Sequence, residues 1–480
     1  MTRRTEALLL AGIVALAALL RLVGIATVPL DADEAMHLHP FSFQDLLAFD
    51  LEINPPLFRV LAWLACQADR SAFWIRLPSF LAGTATVAVL HLAVRGGLGA
   101  RVGLAAAAML AVHPWHIRHS QSARSFALLA LLTLAVYALC HCRLRKADWP
   151  RQAALAACQV LSVLTQYLAL VFVPIQAASC GMRHGWRRGL ALLPVPALAG
   201  SLFVPFVVAG IRAKAAAGLA VPYTWGAAYL ARVAEAVCGA GGLAFLACAA
   251  LVFVGVLHKE SRAFARHGLG LVAAVFLVGS VVPVEVRYCL PALPFLVAGM
   301  ARAAVAVWDR AAARGAWSRA CAAALLACGL SGWVLQGSVY LASGGHPMLA
   351  EVLGDLERAD DTVQRAGAAI AAAQQDPPVG VLIVGPGPEH FRMAAEILGP
   401  GVYPDDATLA DHSGYSVITA SGLVVAGATS AETVPAAAAA IQKAGAAFHL
   451  VDPGGLVGAA GPCGCVDPGP SCIGRCRSPR

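Results

Sequence analysis

MTRRTEALLLAGIVALAALLRLVGIATVPLDADEAMH, residues 1–37, sets the reading of the whole chain. An apolar run over about 7–27 follows Arg3-Arg4 and is followed at once by Asp31, Asp33 and Glu34. A helix needs about 20 apolar residues to cross a bilayer, and Lys and Arg collect on its cytoplasmic side. The stretch therefore predicts a first span with the N-terminus inside and three carboxylates outside, at the membrane edge. It reads as a span and not as a cleaved signal peptide, because it lacks a convincing small-x-small cleavage site.

The rest of the sequence extends the pattern. Of 480 residues, 59% are hydrophobic and 13% charged, with a mean hydropathy of +0.71, against about 25% charged in an average soluble domain. That excludes an ordinary cytosolic enzyme. Further apolar segments lie near 78–95, 101–115, 125–141, 152–164, 167–180, 189–210, 237–257, 268–283, 288–307 and 319–341, which makes eleven predicted spans. The fifth and sixth are short, which a helix ending in a protein-lined cavity tolerates. Alternate connections are basic: Arg95/Arg101, Arg143/Arg145/Lys146/Arg151, Arg183/Arg187/Arg188, Lys259/Arg262/Arg266 and Arg310/Arg314/Arg319. The opposite loops carry Asp31, Asp33, Glu34, Asp45, Asp50, Glu52 and Glu285.

Residues 1–344 hold 28 basic and 13 acidic side chains, whereas residues 345–480 hold 7 and 14. The net charge of +8 thus combines a basic body with an acidic tail, and nucleic acid is not needed to explain it. The expected fold is an all-α polytopic membrane body over 1–344, with a long first outside loop at about 28–77. A small external, soluble α/β domain is expected over 345–480. The chain is placed in the cytoplasmic or inner membrane as a multi-pass protein, with its C-terminal domain external or periplasmic.

In the tail, Val379 to Val384 and Leu423 to Ala426 read as strands and Glu389 to Leu398 as a helix. The turn Gly385-Pro-Gly-Pro388 lacks the third glycine of a dinucleotide site. An accessory or substrate-guiding role fits best. Cys463, Cys465, Cys472 and Cys476 would face an oxidising compartment, where disulfides are expected in one of three pairings. A four-thiolate metal site is the alternative. The other ten cysteines are scattered through the apolar body as small buried residues.

Three stretches carry chemistry. Asp31, Asp33 and Glu34 repel one another, so at least one should have a raised pKa or meet a cation, which suits a general base or a metal ligand. Phe41 to Phe49 and Pro55 to Gln67 are too short to span and are broken by Asn54-Pro55-Pro56; they read as interfacial helices roofing a cavity. The second outside loop contains His113, His116, His119, Gln121 and Arg124. Arg124 would sit at the mouth of the fourth span, where a cation either snorkels or binds an anion. The three histidines, at i, i+3 and i+6, are interfacial by default, with metal ligation as the second reading. Finally, Arg287-Tyr288 opens a span with Pro291 and Pro294, which kink it and leave space for a ligand. Arg124 and Arg287 could together hold a phosphate.

Order and spacing of these stretches resemble the GT-C superfamily of integral-membrane glycosyltransferases, in particular bacterial relatives of the dolichyl-phosphate-mannose protein mannosyltransferases and of the lipid A aminoarabinose transferases. The likeness runs over about 7–307. It rests on Asp33-Glu34, Asn54-Pro55-Pro56-Leu57, Arg76-Leu77-Pro78-Ser79, Ser120-Gln121-Ser122-Ala123-Arg124-Ser125-Phe126, and Arg287-Tyr288 with its prolines. The chain departs where the family has Glu and Tyr, with Ser122 and Phe126 in their places. It also lacks the Lys that some relatives carry near Asn54.

The resemblance implies a hexosyl- or pentosyltransferase that moves one sugar from a polyprenyl-phosphate donor to an acceptor on the outer side, with inversion. It implies Asp33 as general base tuned by Glu34, with Arg124, Arg287, Tyr288 and Gln121 at the donor phosphate and His37 and Asn54 in the acceptor cavity. The partners would be the polyprenyl-phosphate sugar donor, membrane lipid, and an acceptor that is protein, lipid or glycan. No cofactor is required; a divalent cation at Asp31-x-Asp33 is left open, because a single phosphate has less need of one. Two other classes remain. A transporter or flippase for a lipid-linked or anionic solute should show matching halves, and none is found. A non-catalytic scaffold or sensor is supported by Ser122 and Phe126.

Overall fold

The computed structural model describes residues 1–26, 34, 55–69, 71–141, 149–203, 208, 226–239, 242–280 and 284–342, together with six strands between 379 and 476. The chain divides into two compact units, one of residues 1–25, 43–64 and 76–345, the other of residues 26–42, 65–75 and 346–480.

The first unit is helical among its described residues, and each of the eleven apolar segments is mainly helix where it is described. Five helices are long and apolar enough to cross a membrane: Arg3–Leu22, Ala72–Leu98, Arg262–Gly279, Val286–Arg314 and Ala316–Gly337. Ala227–Cys238 and Leu243–Leu257, bent by 93°, make a sixth if taken as one span. The remaining segments are broken into shorter pieces. Ala100–Ala111 is cut from Ala72–Leu98 by Gly99, whose φ of +91° an L side chain rarely adopts, and Phe126–His141 has 16 residues. The Pro55–Gln67 stretch forms the helix Pro56–Cys66, whereas 41–49 lies outside the described residues.

Local chemistry sets the helix ends. Thr2 caps the first helix by accepting from the Thr5 amide at 3.1 Å. Glu6 in its first turn is buried and binds His91 Nε2 at 3.0 Å and Arg95 Nε at 2.8 Å. The innermost helix is Leu293–Arg314, where Leu293, Phe295, Val297, Ala298, Met300 and Ala301 are inaccessible. It packs backbone to backbone: a Cβ on Gly255 would lie 2.6 Å from the Gly299 carbonyl carbon. Such approaches suit a bilayer interior, where dispersion between close helices replaces the hydrophobic drive. The first helix instead exposes Leu8, Leu9, Leu16 and Leu19, as a lipid-facing span should.

The C-terminal strands form one mixed sheet in the order β2-β3-β4-β1-β5-β6. They are β1 (Val379–Val384), β2 (Thr408–His412), β3 (Tyr415–Ala420), β4 (Leu423–Ala428), β5 (Ala447–Val451) and β6 (Arg475–Cys476). β1 runs parallel to β4 and β5, with Val379 opposite Leu423 and Ala447; the other pairs are antiparallel. The two strands read from sequence are β1 and β4. The Glu389 to Leu398 stretch, Cys463, Cys465 and Cys472 lie outside the described residues; Cys476 ends β6.

Candidate functional site

The site is built from the end of the first helix outward. Arg21, in that helix's last turn, is fully buried and spends its guanidinium on five groups. Nη1 donates to the carbonyls of Ala17 at 2.8 Å and Ala111 at 3.1 Å, Nη2 to Leu110 O at 3.3 Å, and Nε to Ser120 Oγ at 3.2 Å. Leu110 and Ala111 end the Ala100–Ala111 helix, so the cation meets the negative end of that helix. Nη2 also lies 2.7 Å from His116 Nδ1. A guanidinium only donates, so Nδ1 accepts and His116 carries its proton on Nε2.

Gln121 completes the joint. Its amide nitrogen reaches the carbonyls of Leu20 at 3.4 Å, Arg21 at 3.1 Å and Val23 at 2.5 Å, which caps the first helix. Its donors are thus spent on backbone. The Arg76-Leu-Pro-Ser79 motif adds two ties from the helix Ala72–Leu98: Arg76 Nη1 donates to Ile25 O at 2.9 Å and Ser79 Oγ to Arg124 O at 2.8 Å. Three motifs far apart in sequence therefore meet at one corner. Arg21 is the residue that the motif reading missed; a charged side chain one turn from the end of an apolar span was its signal.

Arg124 stands two residues before the helix Phe126–His141, and Arg287 and Tyr288 open the 3-10 turn Val286–Ala292. Phe126 gathers the last two. The Arg287 guanidinium carbon sits 5.5 Å from the centre of its ring, and the Tyr288 ring meets it edge-on at 5.2 Å and 90°. Arg287 is also ion-paired with Glu285, whose carbonyl accepts from Tyr229 Oη at 3.2 Å. A cation and a phenol held on one aromatic ring, with Arg124 two residues before that ring in the chain, make an arrangement able to take an anion.

The three loop histidines take separate partners. His113 Nε2 pairs with Val237 O at 3.0 Å and its ring lies 4.5 Å from Trp333, His116 meets Arg21, and His119 lies among aromatic rings. Burial pushes His116 well below the usual range, with the charge of Arg21 adding to it. Among the described residues, no three His, Cys, Asp or Glu side chains could hold a metal ion. Glu34 is buried; Asp31, Asp33, His37 and Asn54 lie outside the described residues.

No family model and no curated protein matches the chain. Among solved structures it is similar to the Archaeoglobus fulgidus oligosaccharyltransferase tethered with an acceptor peptide, at 11% identity and a TM-score of 0.52 over 82% of this chain and 63% of that one. The same protein, in complex with an inhibitory peptide and a dolichol-phosphate, gives a TM-score of 0.51 at 11% identity over 82% and 63%. ArnT from Cupriavidus metallidurans bound to undecaprenyl phosphate gives 0.51 at 16% identity over 81% and 84%. The chain spans less than two thirds of the archaeal enzyme's length. The helical body therefore shares its fold with the archaeal oligosaccharyltransferase and with ArnT.

Proposed function

We propose that the chain transfers one sugar from a polyprenyl-phosphate-linked donor to an acceptor on the outer side of the membrane, with inversion. The observation that carries this is the meeting of Arg287 and Tyr288 on Phe126, two residues after Arg124, in a GT-C fold. Solved proteins of that fold are seen with dolichol-phosphate and undecaprenyl phosphate. The acceptor hydroxyl oxygen bonds to the anomeric carbon, the bond from that carbon to the phosphate oxygen breaks, and the electron pair leaves on the carrier phosphate. Fixed cations stabilise the charge that develops there. Asp33 takes the acceptor proton, with Glu34 tuning it by repulsion. Gln121 serves the phosphate site by holding the first helix to the turn that carries Arg124. A divalent cation at Asp31 and Asp33 is an optional addition, and a protein, lipid or glycan could be the acceptor.

Asp33→Asn keeps the shape and removes the base. Transfer by purified enzyme should fall by about 10² to 10⁴, with folding and carrier binding retained and Glu34→Gln milder. Wild-type turnover by Asp33→Asn would reject the assignment.

A further inference from the structure

The Pro114–Ser120 helix brings another polar ring to Phe126. His119 is 8% exposed, and its ring lies edge-on to Trp115 at 6.0 Å and to Phe126 at 5.7 Å. Packing therefore fixes it. His113 and His116 each commit one nitrogen, to Val237 O and to Arg21, and bury the other without a partner, whereas no hydrogen bond ties His119 among the described residues. An imidazole carries at least one N–H, so His119 has a donor to offer. Arg287 stands over the same phenyl ring that His119 meets edge-on. Burial first, and then the charges of Arg118 and Arg287, hold His119 well below the usual imidazole range. At neutral pH it is an uncharged donor beside two arginines.

We propose that His119 donates one hydrogen bond to the carrier phosphate, completing the set of Arg124, Arg287 and Tyr288. This rests on the phosphate-site reading above. A neutral donor adds to anion binding without the cost of crowding a further cation against Arg287, and its direction lets it discriminate a phosphate from an alcohol end group.

The test titrates undecaprenyl phosphate into the full-length protein in nanodiscs, with undecaprenol as the phosphate-free control. The wild type should bind the phosphate more tightly than the alcohol. His119→Phe keeps a ring beside Trp115 and Phe126 but removes the N–H; it should weaken phosphate binding roughly tenfold and leave undecaprenol binding unchanged. His119→Leu replaces it if the larger ring prevents folding, and only variants with the wild-type unfolding temperature are read. Unchanged phosphate affinity in a folded variant overturns the proposal and leaves the phosphate-site reading standing. A wild type that does not prefer phosphate to alcohol overturns both.

Discussion

Arg21 shows how a single buried charge can organise a membrane corner. Its partners are a serine hydroxyl, an imidazole and the carbonyl ends of two helices, so it joins the first helix to the turn leading to Arg124. Arg21→Met removes a buried charge, which is favourable, but leaves the Ala111 carbonyl and His116 Nδ1 without this donor. Each buried group left unsatisfied costs about 1–3 kcal/mol, so we expect a net loss of about 2–4 kcal/mol, read as a lower unfolding temperature in detergent. An unchanged unfolding temperature would mean that water or rearranged side chains replace the guanidinium. Arg124, Arg287 and Tyr288 were legible as candidates because each stands where an apolar span begins, on loops rich in hydrogen-bond donors. The meeting of Arg287 and Tyr288 on Phe126 was not. A phenylalanine in place of the family's tyrosine reads as a loss, yet its ring face is what Arg287 occupies.

At the scale of elements, close backbone contact decides which helices pair. Gly83 lies where a Cβ would sit 2.0 Å from Ser120 Oγ, the hydroxyl that receives Arg21 Nε, while Gly12 has nothing within 4 Å. Gly83→Ala should therefore cost about 1–3 kcal/mol through overpacking. Gly12→Ala, in the exposed part of the first helix, should be neutral or stabilising by up to about 1 kcal/mol. Thermal unfolding of the two variants in the same detergent checks both, and equal behaviour would remove the close approach from the account. Span positions were readable from hydropathy, since each apolar segment is mainly helical where it is described. Their lengths were not, because the Ala227–Cys238 and Leu243–Leu257 pair bends by 93° and Ala100–Ala111 and Phe126–His141 are short.

For the whole molecule, the alternation of basic and acidic connections predicts orientation. Reporter fusions after Arg262 should be cytoplasmic and those after Gly345 external; a cytoplasmic Gly345 fusion would reverse the topology and place the acidic first loop on the wrong side for an outward-facing reaction. By itself the sequence determined that the body is a helical membrane protein and that its tail contains strands at β1 and β4. Hydrophobic runs, charge asymmetry and residue chemistry are local properties, and they survive without knowledge of neighbours. Only the tertiary structure decided that Gln121 spends its donors on the end of the first helix, that His113, His116 and His119 go to three different partners, and that Arg287, Tyr288 and His119 share one phenyl ring. Those assignments depend on which helices touch, and close packing of small residues sets that through contacts hundreds of positions apart in the chain.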